Sequence, residues 1–283
     1  MKALRWHAAR DLRLSELERQ APRPGEVELE VAYCGICGSD LHEYQSGPHS
    51  IPQAEAHPLS GCRAPLTLGH EFCGVVAALG PGVEGLRIGD RVAVEPEYRC
   101  GECRYCREGR YNLCESMGFI GLMGDGGFAE RARVPAYMLH RLPDAVGFRQ
   151  AAVLEPAAVA HQADEAHRLA EVVAAFPAVA AFAAAVFRLH RDAYPELIAL
   201  LADGRLDLAR AVTRSVPLEQ AVEHGFEALL RDKSQVKVLV NPNPALAWRD
   251  CASATASRWS RNTAAANAAT AGKAATTSAS RWA

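Results

Sequence analysis

The stretch Glu26–Ala32, EVELEVA, alternates Glu26, Glu28 and Glu30 with Val27, Leu29 and Val31. A side-chain period of two belongs to a strand whose two faces meet different surroundings, so a strand with one wet face is expected here. Outward from it, CGVVAAL (Cys73–Leu79) and DRVAVEP (Asp90–Pro96) supply further short β candidates set apart by Gly and Pro turns. Their spacing is that of a small barrel or sandwich, and the first 150 residues read as mostly β.

Between Asp164 and Leu201 the texture changes to Ala, Leu, Val and Phe at helical spacing, broken at Pro177 and Pro195, with Gly204 as a helix stop. PLEQAVEHGFEALL then sets Leu218, Val222, Phe226 and Leu229 on one helical face, and QVKVLV reads as a closing strand. The fold class is therefore mixed α/β. From Asn243 onward the chain is Ala, Ser, Thr and Asn with a repeated ASRW and no acid after Asp250. Too few large apolar groups remain there to offset ordering entropy, so residues 243–283 are expected to be a disordered tail.

A chain of 283 residues with 49% hydrophobic and 23% charged residues can bury a sizeable core. Its net charge of -2 gives no whole-molecule field to attract nucleic acid or an anionic membrane, which leaves a small molecule as the expected partner. The opening MKALRWHAARDLRLSELERQ holds no continuous apolar run, against a secretory signal, and the cytoplasm is the expected compartment. The longest apolar run, Val172–Phe187, is interrupted by Pro177 and falls short of the roughly 20 residues that cross a bilayer, so no membrane span is expected.

Nine cysteines in a reducing compartment are more often metal ligands, nucleophiles or buried apolar residues than disulfides. CGECRYCREGRYNLC places Cys100, Cys103, Cys106 and Cys114 at intervals of two, two and seven intervening residues. Four thiolates so spaced close a tetrahedron around zinc and leave no position for water, which makes a structural site. Two alternatives stand beside it. One is a metal-free surface loop. The other is a nucleic-acid-binding knuckle, because Arg99, Arg104, Arg107 and Arg110 interleave with Tyr98, Tyr105 and Tyr111; the overall acidity weighs against it.

A second constellation is spread more widely. YCGICGSDLHEY offers Cys34 and Cys37, and LTLGHEFCG offers His70 beside Glu71. A thiolate, an imidazole and a carboxylate from separate segments make an open zinc site, able to polarise an alcohol oxygen. Ser39 and His42 are the right groups to pass a proton from hydroxyl to imidazole to solvent; read singly, they are a capping serine and a solvated histidine.

Taken in order, GICGSDLHEY, APLTLGHEFCGVV, GDRVAVEPEYRCGECRYCREGRYNLC, GGFAERARVP and LEPAAVA resemble the zinc-dependent medium-chain alcohol dehydrogenases, and within them the (R,R)-butanediol subgroup. The resemblance covers Met1 to about Ala160 and resumes from about Tyr194 to Pro242. It implies a GroES-like zinc catalytic domain over 1–160 and, over 161–242, a mainly helical remnant of the nucleotide-binding and C-terminal region. It further implies catalytic zinc on Cys37, His70 and Glu155, with Glu71 beside them as an exchanging or supporting ligand. A structural zinc falls to the four lobe cysteines, and the proton relay to Ser39 and His42. Read on its own, Glu155 is equally a helix-start carboxylate before Pro156. The inherited reaction would interconvert a secondary alcohol or diol, such as 2,3-butanediol, with a ketone such as acetoin, using NAD. A homo-oligomer stays open.

One part of the family pattern is missing. About 33 residues separate the two matched stretches, whereas one βαβ unit needs roughly 30 or more, so a full doubly wound nucleotide domain does not fit. Gly80, Gly82 and Gly85 satisfy GxGxxG, but Pro81 and the following LRIGDRVAV make a turn that leads to a strand rather than a helix. NAD thus comes by resemblance only, without a binding fingerprint. A second reading, a zinc-binding or interaction module that has lost catalysis, shares the metal sites and differs in the cofactor.

Overall fold

The computed structural model describes residues 1–161 and 193–246. The expected helical stretch therefore lies outside the described residues over 162–192, and so does the tail over 247–283.

The fold is organised around β3 (Glu26–Gly35), the strand that begins with EVELEVA. One edge of β3 pairs antiparallel with β5 (Glu71–Leu79). The other edge is shared in succession: β9 (Arg131–Pro135) lies along Glu26–Glu30, and β12 (Lys237–Asn241) takes Cys34 and Gly35. β6 (Arg91–Val94) follows β5, β10 (Leu139–Arg141) follows β6, and β11 (Val212–Pro217) completes a seven-stranded sheet beyond β12. β1 (Lys2–Ala8), β2 (Asp11–Glu16) and β4 (Leu66–Thr67) form a second sheet, and β7 (Glu97–Tyr98) pairs with β8 (Gly118–Phe119).

Period two decides which core each residue joins. Cys34, Phe72, Val92, Val94, Val238 and Val240 enter one apolar cluster, while Tyr33, Cys73, Ala93 and Leu239 enter another on the opposite face. Helices cover that second face: Phe148–Ala151, residues 154–161, and Ala193–Ala202, which buries Tyr194, Leu197, Ile198 and Leu201. With both faces covered, the expected wet face of EVELEVA is only partly wet. Glu28 is buried, and Arg19 and Arg131 compensate its charge.

β11 and β12 are parallel, so a crossover must join them. Residues 218–231 provide it as three short helical pieces, Leu218–Gln220, Ala221–Phe226 and Glu227–Arg231. Phe226 anchors this crossover edge-on between Tyr44 and Phe128, at ring separations of 5.5 and 5.7 Å. The expected helix and closing strand are present, and β11 is an addition to them. Order also extends past the expected start of the tail. Asn243 donates to the carbonyls of Val31 and Glu130 at 2.8 and 2.7 Å, and Leu246 is buried.

Gly80–Gly85 forms the turn between β5 and β6, with positive φ at Gly82 and Gly85, as its sequence context indicates. No helix among the described residues is long and apolar enough to cross a membrane.

Candidate metal centre

Cys37 caps the nine-residue helix Gly38–Ser46, and its N–H donates to Asp40 Oδ2 at 2.9 Å. The unpaired N–H groups of that first turn favour a negatively charged ligand atom. His70 and Glu71 arrive from the start of β5. Gly69 makes their approach possible: its φ is +95°, and a Cβ there would lie 2.6 Å from Cys34 Sγ and 2.9 Å from the Phe128 ring. Close packing recurs at Gly35, where a Cβ would sit 2.1 Å from Glu71 Oε2.

These elements bring one donor atom each from Cys37, His70 and Glu71 within 4.8 Å of one another. Ser39 Oγ lies 3.5 Å from His70 Nε2. His42 is exposed on the same helix one turn further on, towards solvent. Behind the imidazole, Asp40 Oδ1 stands 3.6 Å from His70 Nδ1, and neither buried atom has a hydrogen-bond partner among the described residues. Burial alone would lower the His70 pKa; the Asp40 carboxylate and the Cys37 sulfur outweigh it and hold the ring well above its ordinary value. A cation drawing on the same donors would replace that proton, because a ligating imidazole is neutral. The donor set therefore fits a borderline-soft divalent ion such as zinc.

Glu155, in the helical residues 154–161, is buried but stands outside this tight group. Burial pushes its carboxyl up to about 7, with His70 opposing the shift and Glu71 adding to it. It is therefore within electrostatic reach of both. Glu71 itself is held by Lys237 of β12, whose Nζ donates to both carboxylate oxygens at 2.7 Å. Neither Lys237 nor Asp40 carried a role in the sequence. Asp40 was legible, because an acid three residues after a helix cap is a capping signature. Lys237 was not, since it meets Glu71 across 166 positions.

The second cluster lies in the loop after β7. The sulfurs of Cys100 and Cys106 are 3.8 Å apart, and those of Cys100 and Cys114 are 3.5 Å apart. Four sulfurs at about 2.3 Å from a tetrahedral zinc lie about 3.8 Å from one another, so the cage has the size zinc needs. Backbone N–H groups support the sulfurs, from Cys100 to Cys114 at 3.3 Å, Cys103 to Cys100 at 3.3 Å, and Cys106 to Cys103 at 3.4 Å. N–H groups of Glu115 and Cys106 pull the Cys103 thiol down to about 6, which favours the thiolate form that a metal ligand needs. Arg99 joins the loop to the body. Its guanidinium stacks on Tyr111 at 4.4 Å and on Tyr137 at 4.5 Å, and it pairs with Glu95 at 3.7 Å.

Comparison with known proteins agrees with this architecture. Residues 23–144 match the alcohol dehydrogenase GroES-like domain. The chain is 48% identical over 159 residues to (R,R)-butanediol dehydrogenase of Bacillus subtilis (strain 168), which covers 56% of this chain and 45% of that one. It is 42% identical over 158 residues to the enzyme of the same name from Neisseria gonorrhoeae, covering 55% and 45%. The crystal structure of 2R,3R-butanediol dehydrogenase from Bacillus subtilis superimposes with a TM-score of 0.70 at 30% identity, over 86% of this chain and 99% of that one. The chain belongs to the zinc-dependent medium-chain alcohol dehydrogenase family. It spans about half the length of the sequence relatives it matches.

Proposed function

We propose that this chain carries the alcohol-binding, metal-dependent half of a dehydrogenase acting on a secondary alcohol or diol, with NAD as the hydride acceptor and 2,3-butanediol and acetoin as the model pair. The observation that carries this reading is the convergence of Cys37, His70 and Glu71 beside Ser39, with Glu155 in electrostatic reach.

In this reading Cys37, His70 and Glu155 hold a catalytic zinc, and Cys100, Cys103, Cys106 and Cys114 hold a structural one. A zinc bound at the first site supplies Lewis acidity towards an alcohol oxygen. Asp40 faces His70 Nδ1 at 3.6 Å and would accept its hydrogen bond once the ring is drawn onto a metal, as carboxylates behind ligating histidines do. Lys237 keeps Glu71 beside the site as a supporting charge. Ser39 accepts the hydroxyl proton, and His42, exposed one turn along the helix, hands it to solvent. The division at residue 160 is then one of chain history rather than of space, since β11 and β12 complete the sheet built by the first part.

A specific observation favours the second reading, a metal-binding module without turnover: the interval between the two matched stretches is too short for a nucleotide domain. One preparation separates the two. Cobalt(II) replacing zinc gives visible bands that report on ligands at the first site, and the fluorescence of NADH reports on the cofactor. Alcohol-dependent band shifts together with saturable NADH binding support the dehydrogenase. Band shifts without NADH binding support the module.

A further inference from the structure

Glu97 is a buried carboxyl without a hydrogen-bond partner among the described residues. It is 2% exposed, and neither Oε1 nor Oε2 has a hydrogen bond. Folded proteins satisfy nearly all such atoms, and each exception calls for an explanation, such as a catalytic role or a bound water or ion. Its neighbour two residues back is better matched, with Oε2 hydrogen-bonded and only Oε1 lacking a hydrogen bond among the described residues. Glu95 receives His140 Nε2 at 2.7 Å and lies 3.7 Å from Arg99 Nη1.

The sheet register places this carboxyl at the metal centre's end of the molecule. β5 and β6 are antiparallel with Cys73 opposite Ala93. The end of β5 that begins at Glu71 is therefore the end at which β6 finishes at Val94 and runs on through Glu95 to Glu97. The Tyr194 hydroxyl closes the same end, donating to the Val94 carbonyl at 3.0 Å. Burial first, and then the charges of Glu95 and Glu155, raise the Glu97 carboxyl to about 8, so at neutral pH it keeps its proton. It then offers one donor and one acceptor, which is the complement of an alcohol hydroxyl.

We propose that Glu97 is a specificity-determining residue of the metal centre, whose carboxyl hydrogen-bonds the second hydroxyl of a vicinal diol and so selects diols over simple secondary alcohols. The proposal rests on the alcohol-binding reading above and adds a residue that none of the sequence motifs singled out. A site that presents a buried polar group to a substrate hydroxyl discriminates against the analogue lacking it, because that group is then left unpaired.

The test uses the full chain loaded with cobalt(II), titrated with 2,3-butanediol and with 2-butanol while the visible bands are followed. Wild-type protein is expected to respond to the diol at a concentration at least about tenfold lower than to the mono-alcohol, a difference of about 1.4 kcal/mol. In Glu97→Leu the two alcohols should come within about twofold of each other. Glu97→Gln, which keeps a donor and an acceptor, should retain most of the preference. Undiminished cobalt band intensity certifies that each variant is folded and loaded. A diol preference that survives in Glu97→Leu overturns the proposal, as does an equal response to both alcohols in the wild type. No response to either alcohol overturns the alcohol-binding reading and this proposal together.

Discussion

Lys237 and Glu71, 166 residues apart in sequence, form a two-pronged ion pair at 2.7 Å in which the carboxylate is fully buried and the ammonium nearly so. The pair fastens the last strand of the sheet to the metal centre. Removing one member of such a pair strands the other charge, at a cost of about 3–5 kcal/mol. Lys237→Met is expected to lower the unfolding free energy of zinc-loaded protein by that order in urea titration. Adding Glu71→Gln to it should recover part of the loss, as coupled neighbours do.

The four-cysteine loop has little core of its own, and metal binding organises such loops by on the order of 10 kcal/mol in zinc-finger peptides. Cys103→Ser should therefore open the segment 100–114 to limited proteolysis while leaving the seven-stranded sheet resistant. Mass spectrometry of the fragments reads the outcome directly.

Arg99 sits between the rings of Tyr111 and Tyr137 and compensates Glu95. Each cation–π contact contributes about 0.5–1 kcal/mol, and a lysine cannot reproduce a planar stack on two faces. Arg99→Lys is expected to destabilise the protein by about 1–2 kcal/mol, and Arg99→Ala by more. Thermal unfolding of the two variants beside wild type checks both the size and the order.

Glu97 also predicts a pH dependence. Its carboxyl titrates at about 8 in the folded protein, against the ordinary 4.5 when exposed, because burial and the Glu95 charge disfavour its ionised form. Between those values the folded state holds one more proton than the unfolded state, so stability falls as pH rises through the interval. The slope contributed by one proton is about 1.4 kcal/mol per pH unit. Glu97→Gln should flatten the stability profile between pH 5 and 8 by about that slope, read from urea midpoints at a series of pH values.

Much of this was legible locally. The period-two alternation of EVELEVA located β3, the cysteine spacing located the lobe, and the motif order brought Cys37, His70 and Glu71 into one site. Residues whose meaning depends on distant partners were not legible. Glu28 read as wet because the strand pattern does not show that Arg19 and Arg131 close over it. Asn243 read as the start of a tail because its composition gives no sign of the two carbonyls it caps, Val31 in β3 and Glu130 just before β9. β11 was missed because TRS in its middle is polar, and its place in the sheet comes from pairing with β12 rather than from burial along its own length. The unpartnered state of Glu97 is likewise a property of the packed end of the sheet.

The central claim is that one chain builds two independent zinc cages, and metal analysis of folded protein tests it most directly. Two zinc ions per chain are expected in the wild type. His70→Ala should retain one of them with the lobe still resistant to protease, and Cys103→Ser should retain the other with the first site still able to take up cobalt. Folded wild-type protein that binds no zinc, or variants that both lose the same ion, would contradict the account.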